Sequence, residues 1–389
     1  MKKRIKYISL LVLSIVLLSL FFTGCMGGQS PQGWSGCNSN DTNIYYGSMD
    51  SRVMCINPDS RSRGLSFPDK ELGEWYALIR GPATGGGMCG PLFGCAPSGA
   101  SVVAIYSTPV ISGELVYVGT YLGKVRAYNA ISGSERWIYP RDVNDSMGAI
   151  VGNIILVDDT LYITSANGYI YALEKEYGDK IWEFNTGSRI WTTPAYSDGM
   201  VYAGNYNGKL VAVTADKGNE VWSIDLPTSS CSSPVIYKDK IIIGTFDHKL
   251  YAVSKLDGSM EWEFTGDNWF WTDVITNGNT IYACSVDNNV YAINGDNGEL
   301  KWKFDTGASV SARPVVVDDL LVVVNQEGQL YILDAANGTS KQVLELGHKV
   351  IAPLYEIDNV VYAHGTDDYV YAVDLNKGEL LWNFKSEIQ

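Results

Sequence analysis

Apolar residues along this chain fall into short runs of four to six, and the runs come in groups of four. Thr192 to Asp225 reads TTPAYSDGMVYAGNYNGKLVAVTADKGNEVWSID, and the following unit repeats the scheme as SSPVIYKDKIIIGTFDHKLYAVSKLDGSMEWEFT. Val, Ile and Tyr dominate the runs, while Asp-Gly, Asn-Gly or Asp-Lys separates them. That is the chemistry of antiparallel strands joined by hairpins. No stretch beyond the N-terminal region sustains a 3.6-residue period. The pattern predicts an all-β chain without helices.

The groups repeat. Trp182, Trp222, Trp262, Trp302 and Trp382 stand on a 40-residue grid that misses only at Gln342, with Trp137 one step earlier at a spacing of 45. A glycine precedes each position by four residues: Gly133, Gly178, Gly218, Gly258, Gly298, Gly338 and Gly378. The second run of each group carries Tyr45, Tyr117, Tyr162, Tyr202, Ile242, Tyr282, Val322 or Tyr362, which makes eight copies. Four strands per unit at this period predict an eight-bladed β-propeller of four-stranded blades over residues 34–385, with an open single-sheet solenoid as the alternative. Trp34-Ser35-Gly36-Cys37 aligns with Trp191-Thr192-Thr193-Pro194, and the last copy ends near Phe384. Both end blades are therefore whole, and the ring is expected to close by packing rather than by strand exchange. Trp137, Trp182, Trp222, Trp262, Trp302 and Trp382 are expected to wedge each blade against the next, since a buried indole supplies large area and needs an acceptor for its N–H. The glycines are expected in tight turns with positive φ.

The N-terminus is built differently. Lys2, Lys3, Arg4 and Lys6 precede an apolar run from Ile8 to Phe22, followed by Thr23-Gly24-Cys25. A basic region, a short apolar core and small residues at the cut describe an export signal over residues 1–24. The small pair before Cys25 resembles a prokaryotic lipobox, which implies lipidation of Cys25; an uncleaved anchor helix is the alternative. Residues 25–33 read as a flexible tether, so the body is expected outside the cytoplasm, anchored to a membrane.

Formal charge is −14, and without the first 24 residues the chain carries 25 basic against 43 acidic residues. Such a surface argues against nucleic acid as a partner, because a polyanion needs clustered Lys and Arg. Six further cysteines remain. Cys89 and Cys95 are close together in a Gly/Pro-rich loop and are the candidate disulfide. Cys37, Cys55, Cys231 and Cys284 occupy repeat positions that are apolar or small elsewhere, which fits buried free thiols.

Two features depart from the repeat. An insertion is expected at about residues 67–103, between blades one and two, holding Trp75, Tyr76 and the Cys89/Cys95 pair; it reads as an ordered cap or as a disordered loop. The second is the position three residues before the inner-strand proline: Trp34, Tyr106, Val151, Trp191, Cys231, Trp271, Ser311 and Ile351. With Trp269 nearby, Trp34, Tyr106, Trp191 and Trp271 form a candidate binding mouth, the alternative being that these rings pack against neighbouring inner strands.

The third-to-fourth-run motif, AVTADKGNEVW, AVSKLDGSMEW, AINGDNGELKW and AVDLNKGELLW, resembles the repeat of pyrroloquinoline-quinone-type propellers from Trp34 to about Lys385. That superfamily includes quinoprotein alcohol dehydrogenases and cofactor-free lipoproteins of the BamB outer-membrane assembly group. A lipobox before eight blades is closest to the second group. The dehydrogenase pattern requires two adjacent cysteines beneath the quinone, and no Cys-Cys pair exists here. Asp273 near an inner strand is a lone aspartate, and His248, His348 and His364 lack metal-ligand spacing. No catalytic residue, metal or cofactor is expected. The reading is a monomeric, lipid-anchored, non-enzymatic scaffold that binds other envelope or membrane proteins. A ligand-binding sensor using the tryptophan mouth is the alternative, and a quinone-dependent dehydrogenase a more remote one.

Overall fold

The computed structural model describes residues 33–81, 103–230 and 232–385. Residues 1–24, read from the sequence as an export signal, and Cys25, Cys89, Cys95 and Cys231 lie outside the described residues. Thirty-two strands form eight separate four-stranded antiparallel sheets, each following chain order. We letter the strands a to d within each blade. Strand a of one blade approaches strand a of the next, as Ala195–Ser197 does Val235–Tyr237, which places these strands around the axis.

Eight apolar clusters hold the sheets together, each built from two successive blades. One joins Cys37, Ile44, Tyr46 and Met54 of the first blade to Tyr362, Val370 and Ala372 of the last. The ring is thus closed by packing, with both end blades whole, and the solenoid is excluded.

The periodic tryptophan works across the blade boundary. Each c–d hairpin of blades two to eight carries a register shift beside the paired alanine or its equivalent, for example between Ala212 and Val213, and this bulge re-aims the outer strand. The indole N–H then reaches a carbonyl of the next blade. Trp75 donates to Ala130 (2.8 Å), Trp137 to Lys175 (3.0 Å), Trp182 to Ala215 (2.8 Å), Trp222 to Lys255 (3.0 Å), Trp262 to Gly295 (3.0 Å) and Trp302 to Ala335 (3.2 Å). Where the grid breaks, the Gln342 side-chain amide donates to the Gly378 carbonyl instead.

Blade one differs from expectation. Trp75 and Tyr76, read from sequence as part of an insertion, belong to its d strand (Trp75–Leu78), and Trp75 is its docking tryptophan. The residues between strands c and d hold a short helix, α1 (Pro58–Ser62), capped by the Asn57 side chain. This corrects the expectation of no helix. Gly33, assigned to the tether, is buried against Ile105.

This elaboration closes the ring where the tryptophan device is lacking. Trp382 is half-buried beside Tyr362 (ring centroids 5.9 Å), and no carbonyl of blade one takes its N–H among the described residues. Instead, the Arg61 guanidinium of α1 lies 4.4 Å from the Phe384 ring centroid and pairs with Glu74 at 2.7 Å, both charged groups buried. Glu74 also accepts the Asn57 and Asp69 backbone N–H groups. Further in, His364 Nδ1 is 2.8 Å from the Ser35 carbonyl, and Asp368 accepts the Met49 N–H at 2.9 Å. Both contacts tie blade eight to blade one.

A candidate aromatic face and axial funnel

In blades two to eight the segment entering strand a and the b–c hairpin emerge at the same end of the ring. Backbone bonds join them: Tyr206 N–H donates to Arg189 O (2.9 Å), Tyr121 to Ala104 (3.0 Å), Phe246 to Ser229 (3.1 Å) and Val286 to Trp269 (3.0 Å). Aromatic side chains from both elements therefore meet on one face.

The structure brings the expected mouth together. Trp34, Tyr106, Val151, Trp191, Trp271, Ser311 and Ile351 all line one axial cavity of about 170 Å³; the eighth position, Cys231, lies outside the described residues. The rings are not absorbed into the inner strands. Trp191 is 43 % exposed, and Trp269 and Trp271 are each 39 % exposed. Trp269 lies on the rim beside the cavity, 5.2 Å from Phe246. Phe270 between them points the other way and is fully buried near Phe264 and Tyr291, as alternation along an extended segment requires.

Tyr121, Tyr206 and Phe246 complete this face and escape the sequence reading. Each is a b–c hairpin residue fifteen positions after a mouth residue, a spacing visible in the sequence but hidden among ordinary turn residues. They link the tryptophans into two arcs. Trp34 meets Tyr106 edge-on at 4.5 Å, and Tyr106 meets Tyr121 at 5.5 Å. Across the ring run Trp191 and Tyr206 (5.4 Å), Tyr206 and Phe246 (6.3 Å), and Phe246 and Trp271 (6.2 Å). The Arg189 guanidinium lies 4.3 Å from the Tyr206 centroid and 5.1 Å from that of Trp191. Offset and edge-on geometries of this kind keep ring faces available to a partner.

Two residues beyond the mouth position, polar side chains form a chain around the axis. Thr108 N–H donates to Asn153 Oδ1 (2.8 Å), Asn153 N–H to Thr193 Oγ1 (2.9 Å), Thr193 N–H to Ser233 Oγ (2.9 Å), and Ser233 N–H to Asp273 Oδ1 (2.8 Å). Asp273 thus anchors its neighbour. The next member, Arg313, is exposed to the funnel.

The described residues lack the adjacent cysteine pair on which a quinone of the dehydrogenase type rests. The described cysteines Cys37, Cys55 and Cys284 are each buried and free, and no two of them are adjacent, so no cysteine pair among the described residues floors the funnel. Burial pushes the Cys37 and Cys55 thiols up to about 12 and raises that of Cys284 further. Among the described residues, no three His, Cys, Asp or Glu side chains come together in a way that would hold a metal ion. No helix among them is long and apolar enough to cross a membrane.

A family model described as outer membrane protein assembly factor BamB matches residues 96–168, 123–339 and 286–389. The outer membrane protein assembly factor BamB of Moranella endobia (strain PCIT) is 28 % identical over 99 residues, 24 % of this chain and 26 % of that protein. The chain is thus matched to about a quarter of that relative's length. The crystal structure of BamB from Moraxella catarrhalis superposes with a TM-score of 0.67 at 17 % identity, covering 86 % of this chain and 95 % of that one. The computationally designed Ika8 protein gives 0.68 at 14 % identity, covering 88 % and 97 %. At these identities the two structures speak to fold alone. The family match covers well over half of the chain, from the second blade to the last, and the chain belongs to the BamB family of propellers.

Proposed function

We propose that this chain is a lipid-anchored, extracytoplasmic scaffold that binds other proteins of the cell envelope through its aromatic face, without catalysing a reaction. The single observation that carries the reading is the solvent-exposed arc of Trp191, Tyr206, Trp269 and Trp271. Bulky rings of this kind concentrate binding energy when a partner desolvates them, and a merely structural repeat has no need to expose them. Family membership supports the assembly role, since the matched relatives are named as outer-membrane assembly factors. Anchoring through Cys25 follows from the lipobox and is part of the same proposal.

The test is affinity capture from detergent-solubilised envelopes with the full-length chain and its W191A/W271A variant. Stable partners recovered by the wild type and lost by the variant support the reading. Equal recovery by both, or none by either, contradicts it. A Cys25→Ala chain released into the soluble fraction supports the anchor; one retained in the membrane refutes it. A second reading, a small-molecule receptor, is favoured by the cavity beneath the rim.

A further inference from the structure

We infer that the axial funnel binds a small zwitterion, an α-amino acid with an apolar or aromatic side chain, between Arg313 and Asp273. The inference rests on the receptor reading of the funnel and is independent of protein capture at the rim.

Charge sets the class of ligand. Among the described residues, Asp273 and Arg313 are the only charged ones lining the axial cavity, and they stand at equivalent positions of adjacent blades. Among the described residues they form no ion pair with each other. The Arg313 guanidinium makes no hydrogen bond or ion pair among the described residues. Asp273 uses Oδ1 to accept the Ser233 N–H, and its second oxygen has no partner among them. Every other residue at this level, such as Asn153, Thr193 and Ser233, is uncharged. One free cation and one free anion side by side match a ligand that carries both signs. A simple anion would satisfy only Arg313 and would enter against the field of a chain with formal charge −14, whereas a zwitterion is neutral overall.

Size and wall chemistry set the rest. A cavity of about 170 Å³ compares with the roughly 150 Å³ of an engineered apolar cavity that holds benzene. It takes a single ring or branched side chain and excludes a folded segment. Trp191, Tyr206, Phe246 and Trp271 supply the apolar wall. Arg313 also borders a second cavity of about 360 Å³ on the axial side of strands a of blades five to eight, so it stands between the two spaces.

Isothermal titration of the detergent-solubilised full-length chain tests this with phenylalanine, tryptophan and leucine, then phenylalaninamide and N-acetylphenylalanine, with glucose and a benzoquinone as uncharged probes. Saturable binding of a free amino acid is expected, weakened about tenfold or more when either charge is removed. Arg313→Gln is expected to abolish the preference for acid over amide. Asp273→Asn is expected to abolish the preference for free amine over acetylated amine while keeping the acceptor for Ser233 and hence the melting temperature. Amide or acetyl derivatives binding as well as the zwitterion would overturn the inference, as would amino acids failing to bind. If glucose or the quinone saturates while amino acids do not, the inference falls and the receptor reading stands; if nothing saturates, both fall.

Discussion

The indole of Trp182 lies directly on the Cα of Gly218 in the next blade. A Cβ at position 218 would stand 2.5 Å from Cε3 of the ring, well inside contact distance. The same glycine has φ +68°, so it meets two requirements at once: a left-handed turn and an open surface for the neighbouring indole.

Each residue of that pair is expected to matter through the other. Trp182→Ala should cost about 3–5 kcal/mol, the range for losing a buried large aromatic. Gly218→Ala should cost about 1–2 kcal/mol from the left-handed backbone, and more from the clash. The double variant should cost less than the sum, because truncating the indole opens the space that the new methyl enters. Guanidinium denaturation of the four proteins measures this. Strict additivity would show that the indole and the glycine do not share a contact.

The seam between blades eight and one is expected to depend on a different pair. Replacing Glu74 with Gln leaves the Arg61 guanidinium buried without its counter-charge, and loss of one partner of a buried pair costs about 3–5 kcal/mol. Hydrogen exchange should then accelerate first in Glu379–Phe384 and Ile44–Gly47, the strands beside the seam. Uniform acceleration around the ring would contradict the local role of the clasp.

Buried thiols give a pH signature. Burial raises Cys37 and Cys55 from 9.0 in the unfolded chain to about 12 in the fold. The folded state therefore holds their protons over a range where the unfolded state has released them. Their contribution is fully present below pH 9.0 and is lost as pH rises toward about 12. Melting temperature should fall through that alkaline window, and less steeply in a Cys37→Ala/Cys55→Ala variant. Native Cys37, Cys55 and Cys284 should also resist alkylation until the chain unfolds. Rapid modification of the native protein would contradict their placement.

Much of this architecture is legible in the sequence because one Gly-x-x-x-Trp hairpin serves five of the seven interior blade boundaries. The pattern fails at blade one for the same reason. Trp75 has no glycine four residues earlier, since α1 and the Arg61–Glu74 clasp replace the hairpin, so the grid passes over its d strand. The mouth residues Trp34, Trp191 and Trp271 are visible as departures from the repeat. Tyr121, Tyr206 and Phe246 are not, because a hairpin tip faces solvent in most folds and only the ring geometry turns it toward the tryptophans. The second duty of the glycines is equally hidden, being set by a neighbour about 40 residues away in sequence rather than by their own turn.

Site-specific photo-crosslinking in intact envelopes separates the two faces of the ring most directly. A photoreactive residue placed at Trp191 or Trp271 samples the aromatic face; one at Leu256, 84 % exposed in a c–d hairpin, samples the opposite end. Discrete crosslinked protein partners from positions 191 and 271, with none from 256, are expected. Partners captured from 256 alone, or from none of the three, would show that the aromatic face is not where this propeller binds.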